Sequence, residues 1–290
     1  MAVYERTYRR YEGPLTPERR RFLAFPRYAF DEVFRSKLFL AFCVVCLLYP
    51  LVLACILYLP HNLGFLKLFN ADAETMSQIF GFDAKFFFEW LMRPQMAMAF
   101  VVTFVVGPAL VTADLRNNGL ALYFSRPLSR TEYVLGKVSI LVLLLSALTW
   151  VPGLIVFGFQ VYLEGTAWLR TNWRAGLGLF LGAWLWILLL CLVSIALSAY
   201  VKWKPVARLS MILVFIVTAG LAAVMNLQFR TEWASVINLS DMVHVIVASL
   251  FGVPPSSLVP PWAAWMSVLA TCGACVLLMA RKLRPYEVVR

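Results

Sequence analysis

The chain has 290 residues, of which 62% are hydrophobic and 14% charged, with a formal net charge of +11. A soluble domain of this length needs far more polar surface to cover its core, so the composition reads as a polytopic membrane protein. The positive charge is not a nucleic-acid footprint, because most basic residues flank apolar runs as orientation signals do.

In chain order, residues 1–36 form a cytoplasmic arm and residues 37–290 a six-span domain. The arm holds a helix start at Thr16-Pro17-Glu18, where a cap, a proline and an acid follow one another. Pro26 interrupts that helix. Over 27–36 the pattern is amphipathic, with Ala29, Phe30, Val33 and Phe34 on one face and Arg27, Asp31 and Arg35 on another. A basic amphipathic helix just before a span reads as an N-terminal interfacial helix. No short apolar core with a small-residue cleavage site occurs, so the first span is expected to stay in the mature protein.

Runs of about 20 apolar residues read as membrane helices. Six such runs occur, at about 38–59, 94–113, 133–162, 175–201, 205–227 and 262–280, without strand alternation. With the N-terminus in the cytoplasm, 20 of the 26 Lys and Arg fall on inner segments and 6 on outer ones. That asymmetry places both termini inside. Trp90, Trp168, Trp173, Trp203, Trp262 and Trp265 lie near the expected span ends, as an aromatic belt would, while Trp184 and Trp186 read as packing between helices.

Two outer segments stand out. Residues 61–93 mix four acids with Phe86-Phe87-Phe88 and suit a partly helical cap. Residues 228–261 contain "NLSDMVHVIVASLFG". Its apolar part is too short to cross, which predicts a re-entrant or interfacial segment before the last span.

Reactive constellations are few. His61 and His244 have no ligand partner at helical spacing and read as solvated or interfacial. No carboxylate lies deep in a span, where proton-coupled carriers place one. Gln160 is expected to hydrogen-bond between helices. Cys43-Val-Val-Cys46 and Cys272-Gly-Ala-Cys275 have redox or zinc spacing, but both sit inside apolar runs and read as packing. No metal or catalytic site is expected. Gly136-Lys137 is followed by Val138 and lacks the earlier glycine of a phosphate loop, so the chain carries no ATPase site of its own.

The most specific polar stretch lies between the second and third runs: "DLRNNGLALYFSRPLSRTEYVLGK", starting at Asp114. Asp114 can cap a short helix. Leu115, Leu120, Leu122, Tyr123 and Phe124 supply apolar contact surface beside Arg116, Asn117, Asn118 and Ala121, and Gly119 allows a close approach. Arg126-Pro127 ends the element. Ser129 and Glu132 form a capping box around Arg130 that starts the next helix, with Tyr133 and Lys137 as interface anchors.

This stretch resembles the cytoplasmic segment between the second and third spans of permease subunits of type-2 ATP-binding-cassette (ABC) transporters. The likeness extends over nearly the whole chain and is strongest at "LYFSRPLSRTEYVLGK". It implies an all-α integral membrane protein with six transmembrane helices and a coupling helix at 114–124, followed by a turn containing Arg126, Pro127 and Arg130. It further implies docking to separate ABC ATPase subunits that bind ATP and Mg, a second permease subunit, location in the cell (inner) membrane, and usually export. The residues themselves leave two alternatives: a membrane-embedded lipid-modifying enzyme, and a non-transporting membrane anchor for a cytoplasmic complex.

Overall fold

The computed structural model describes residues 30, 33–61, 81–116, 130–255 and 257–282; the expectations for 16–26 and most of the amphipathic 27–36 segment lie outside them. Among the described residues every regular element is helical and none is a strand. Five helical runs are long and apolar enough to cross a membrane, a set compatible with a multi-pass membrane protein.

Helix α1 is Lys37–Tyr58, begun by Ser36, whose side chain accepts from the Phe39 N–H. Ahead of it, Phe30 and Phe34 stack with centroids 6.0 Å apart, the surviving trace of the amphipathic face. Asp83 caps a single turn, Ala84–Phe86, which widens into a π-helical turn at Phe87–Met92. Helix α2, Arg93–Arg116, continues from it, with Pro108 inside. The second run is therefore longer than its apolar core at both ends.

Helices α3, Arg130–Leu148, and α4, Trp150–Ser198, follow almost without interruption. The run Glu132–Ser198 is 67 residues, about 100 Å of helix against a hydrocarbon core of about 30 Å. Gly165 resolves the excess: at φ 82 and ψ −176 it occupies backbone space that essentially only glycine adopts. The arms before and after it pack back to back. Trp150 meets Phe180 and Trp184, and Phe157 meets Trp168, so the pairing is antiparallel about the glycine. The sequence ends the third run near 162 and starts the fourth near 175; the structure is helical through most of that interval and leaves helical angles at Gly165 and at Asn172.

Helix α5, Lys204–Phe229, starts with Pro205 in its first turn and ends on Arg230 in left-handed conformation. Asn226 then fixes the turn, donating to Ser235 Oγ at 2.8 Å and accepting from the Ala234 N–H at 3.1 Å. Helix α6, Leu239–Phe251, is capped by Asn238 and closed by Gly252 at φ 73. Its 13 residues make about 20 Å, too short to cross. The flanks of α6 are joined, because the Leu258 N–H donates to Glu232 Oε2 at 3.3 Å. Helix α7 is Pro261–Lys282.

The hairpin is the centre of the bundle. Small residues let α6 lie flat on its second arm: a Cβ at Gly178 would stand 2.6 Å from Phe251 Cε2, and one at Gly182 3.0 Å from Val247 Cγ1. Trp186, buried on the same arm, donates to the Met96 carbonyl of α2 at 2.8 Å. Near the hairpin tip, Trp168 donates to the Phe82 carbonyl at 3.0 Å and Asn172 accepts from the Ala84 N–H at 3.1 Å. Trp168 is thus a structural pin rather than a free belt residue, whereas Trp90, Trp173, Trp203 and Trp262 are more than half exposed, as a belt requires. His61, expected to be solvated or interfacial, is exposed and stands 3.4 Å from Glu164, linking the end of α1 to the tip.

Candidate functional site at the stems of the 117–129 loop

Of the residues singled out by sequence, Asn117, Asn118, Gly119, Leu120, Ala121, Leu122, Tyr123, Phe124, Arg126 and Pro127 lie outside the described residues, as does Ser129. Leu115 and Arg130 are placed at the backbone level only, in α2 and α3. Arg116 is exposed at the end of α2. The two stems of the loop are described, and they carry the local chemistry.

Asp114 departs from its expected role. It does not open a short helix but lies inside the last turn of α2, because that helix runs on to Arg116. Its Oδ2 faces α3, accepting from Tyr133 OH at 2.7 Å and standing 2.9 Å from Lys137 Nζ. Tyr133 and Lys137 are one helical turn apart on α3, so both side chains reach the same point. The lysine also sits over the tyrosine ring, 5.7 Å from its centroid. Tyr133 is wholly buried, and the Lys137 and Asp114 side chains retain 10% and 14% exposure. Neither α3 residue is the free interface anchor that its place in the sequence suggests.

The tie is buried enough for its chemistry to matter. A lone charge left here is costly, while the matched pair is close to neutral against an apolar replacement. Its worth is therefore in geometry: it holds the end of α2 against the start of α3 in one register, on either side of residues 117–129.

A second joint lies lower on α2. Pro108 lacks an N–H, so the ladder of α2 is weakened around residue 104. One residue on, the Val105 carbonyl accepts from Arg208 Nη2 of α5 at 2.9 Å. Beside the proline, Gly107 lets the hairpin approach: a Cβ there would stand 3.1 Å from Ser194 Cβ and closer still to its Oγ. At the same end of the bundle, Tyr200 donates to the Leu278 carbonyl of α7 at 3.0 Å, with Lys282 over its ring. Contacts thus lead from the loop stems through α2 to α5 and the hairpin, and the hairpin's far end is fixed to α7.

The other sequence candidates are dispersed. Cys43 and Cys46 are on α1 and Cys272 and Cys275 on α7, all as free thiols. Among the described residues no three His, Cys, Asp or Glu side chains come together as metal ligands. Gln160 is fully buried on the hairpin, yet neither amide atom has a hydrogen-bond partner among the described residues, contrary to the interhelical bond expected of it. The Asp114–Tyr133–Lys137 tie itself escaped the sequence reading. Its signal was a Tyr and a Lys four apart on one stem facing an Asp on the other. No protein-family model matches the chain, and no curated protein matches it either.

Proposed function

We propose that the chain is the membrane-spanning permease subunit of an ABC transporter, an exporter driven by a separate ATP-hydrolysing subunit docked on a cytoplasmic coupling helix at 114–124 and the turn after it. The observation that carries this reading is the buried tie across the loop's stems. A solvated turn needs no such clamp, whereas a loop that receives a mechanical push needs rigid stems to deliver it. The resemblance of the loop to coupling segments names the source of the push.

In this reading the chain crosses the membrane six times: α1, α2, both arms of the hairpin, α5 and α7. Both termini and the 117–129 loop face the cytoplasm, in keeping with the basic residues at that end: Arg116, Lys137, Lys202, Lys204, Arg208, Arg281 and Lys282. Helix α6 enters from the outer side and returns to it, which the Glu232–Leu258 bond between its flanks supports. The partner ATPase supplies ATP and Mg binding, and a second permease subunit completes the assembly. ATPase closure moves the loop, the stems move as one, and α2 carries the displacement to the bend at Pro108.

The test is affinity purification of the tagged full chain from its native membranes, scored for vanadate-sensitive ATP hydrolysis in the eluate. Arg126→Glu or deletion of residues 114–124 is expected to remove that activity while membrane insertion persists. Hydrolysis that co-purifies unchanged with both variants would count against the docking assignment.

A further inference from the structure

The seam between α2 and the hairpin carries a concentration of polar atoms for which the helix packing supplies nothing. Gln95 of α2 is 1% exposed, and its amide lies directly on Gly153 of the first arm. A Cβ at Gly153 would stand 3.3 Å from Gln95 Oε1 and 4.0 Å from Nε2, so the glycine makes the room the amide occupies. Neither atom has a hydrogen-bond partner among the described residues. Gln160, two turns further along the face that carries Gly153, is fully buried with both amide atoms equally unpartnered.

One turn in the other direction, Trp150 stacks on Trp184 of the second arm with centroids 6.4 Å apart. The indole N–H of each is buried without an acceptor, as is the hydroxyl of Ser146 at the preceding turn. Seven of the nine such atoms among the described residues belong to Gln95 and to one stretch of the hairpin, Ser146 to Gln160 with Trp184 stacked on it.

Burying an amide or hydroxyl without a partner costs about 2–7 kcal/mol, and leucine or methionine would fill the same volume without that cost. The groups point to their ligand by type. Two carboxamides, two indole N–H groups and a hydroxyl offer donors and acceptors in mixture and no formal charge. That set suits neither an anion nor a bare cation. It suits a small neutral molecule that donates and accepts at once, about 10 Å being the distance along the helix from Gly153 to Gln160.

We propose that the Gln95–Gly153–Gln160 seam is a binding site for internal water, a hydrated line inside the subunit between α2 and the hairpin. Water bound there makes two to four hydrogen bonds with just such buried groups. The line gives an otherwise apolar bundle a polar interior, along the same helix that leads to the loop stems. The inference stands on packing alone and is independent of the transporter reading.

The test is X-ray hydroxyl-radical footprinting of the full chain in lipid nanodiscs, in which radicals born from bound water oxidise the side chains beside it. Trp150 and Phe157 report on the seam. Trp186, whose indole N–H is satisfied, and Phe215 report on dry core. The expected result is labelling of Trp150 and Phe157 above both dry reporters, and loss of that excess in Gln160→Leu and in Gly153→Ala, whose added methyl intrudes on the Gln95 amide. Labelling in the wild-type chain no greater than at Trp186 and Phe215 would overturn the proposal, as would an excess that survives both substitutions.

Discussion

Lys137 carries a charge into a place where its neighbours in the sequence give no warning of burial. It follows a polar stretch, so it looks like a residue reaching for the membrane surface. In the fold its ammonium group turns inward to Asp114, and Tyr133 completes the contact. With side chains only 10% and 14% exposed, the pair escapes most of the solvent screening that makes surface ion pairs weak. Removing either side chain breaks this contact, so Lys137→Met or Asp114→Asn is expected to cost about 3–5 kcal/mol. Replacing both with apolar groups strands nothing. The double variant Asp114→Leu/Lys137→Met should therefore recover most of the loss, a coupling that a double-mutant cycle of unfolding in detergent measures. Losses that simply add would mean the tie is incidental. The same cycle separates stability from coupling: the apolar pair restores folding but not the directional contact between the two helix ends, so on the transporter function proposed above the co-purifying ATP hydrolysis should stay reduced.

At the scale of elements, the apolar runs were legible and their connections were not. Each helix length follows from an apolar stretch with recognisable ends, such as Ser36 before α1, Pro205 in the first turn of α5, and Asn238 and Gly252 around α6. The failure at 163–174 has a physical origin. Glu164, Arg170, Asn172 and Arg174 suggest a solvated loop, yet Asn172 spends its side chain on the Ala84 N–H and on the Trp168 carbonyl. A long-range partner replaces solvent, and the segment is helical except at Gly165 and at Asn172 itself. The backbone leaves helical angles at Gly165 and again at Asn172 (φ −109, ψ 18), and of the two only Gly165 adopts a conformation that a side chain resists. A Cβ there meets nothing within 4 Å, so any penalty for Gly165→Ala is backbone strain alone, about 1–3 kcal/mol. Gly158 is the control: it also faces open space but has ordinary helical angles, and Gly158→Ala is expected to be neutral or stabilising by up to about 1 kcal/mol. Equal effects of the two substitutions on the unfolding midpoint would remove Gly165 from its role.

For the whole molecule, composition and charge gave the class, while the central position of the hairpin rested on contacts no periodicity encodes. Its arms bury glycine and alanine faces against α2 and α6, whereas α5 leaves Ile216, Val224 and Leu227 more than 60% exposed, as a lipid-facing helix does. That contrast sets up the topology. The 67-residue run exceeds a hydrocarbon core of about 30 Å by about 70 Å, and in the topology proposed above its two arms cross separately. The consequence is testable by labelling single cysteines in intact cells, after replacing the six native cysteines, with a membrane-impermeant maleimide. Glu164→Cys at the tip and Trp233→Cys before α6 should react from outside. Arg116→Cys and Trp203→Cys, both exposed in the structure, should react only after the membrane is opened. Reaction of Trp203→Cys from outside would mean that the arms of the hairpin do not cross separately. With Arg116→Cys reacting only from inside, it would also place the end of α2 and the start of α5 on opposite sides, against the topology proposed above. Agreement at all four positions fixes three crossings, the two arms of the hairpin and α5, and with them the side on which the end of α2 and the start of α5 lie.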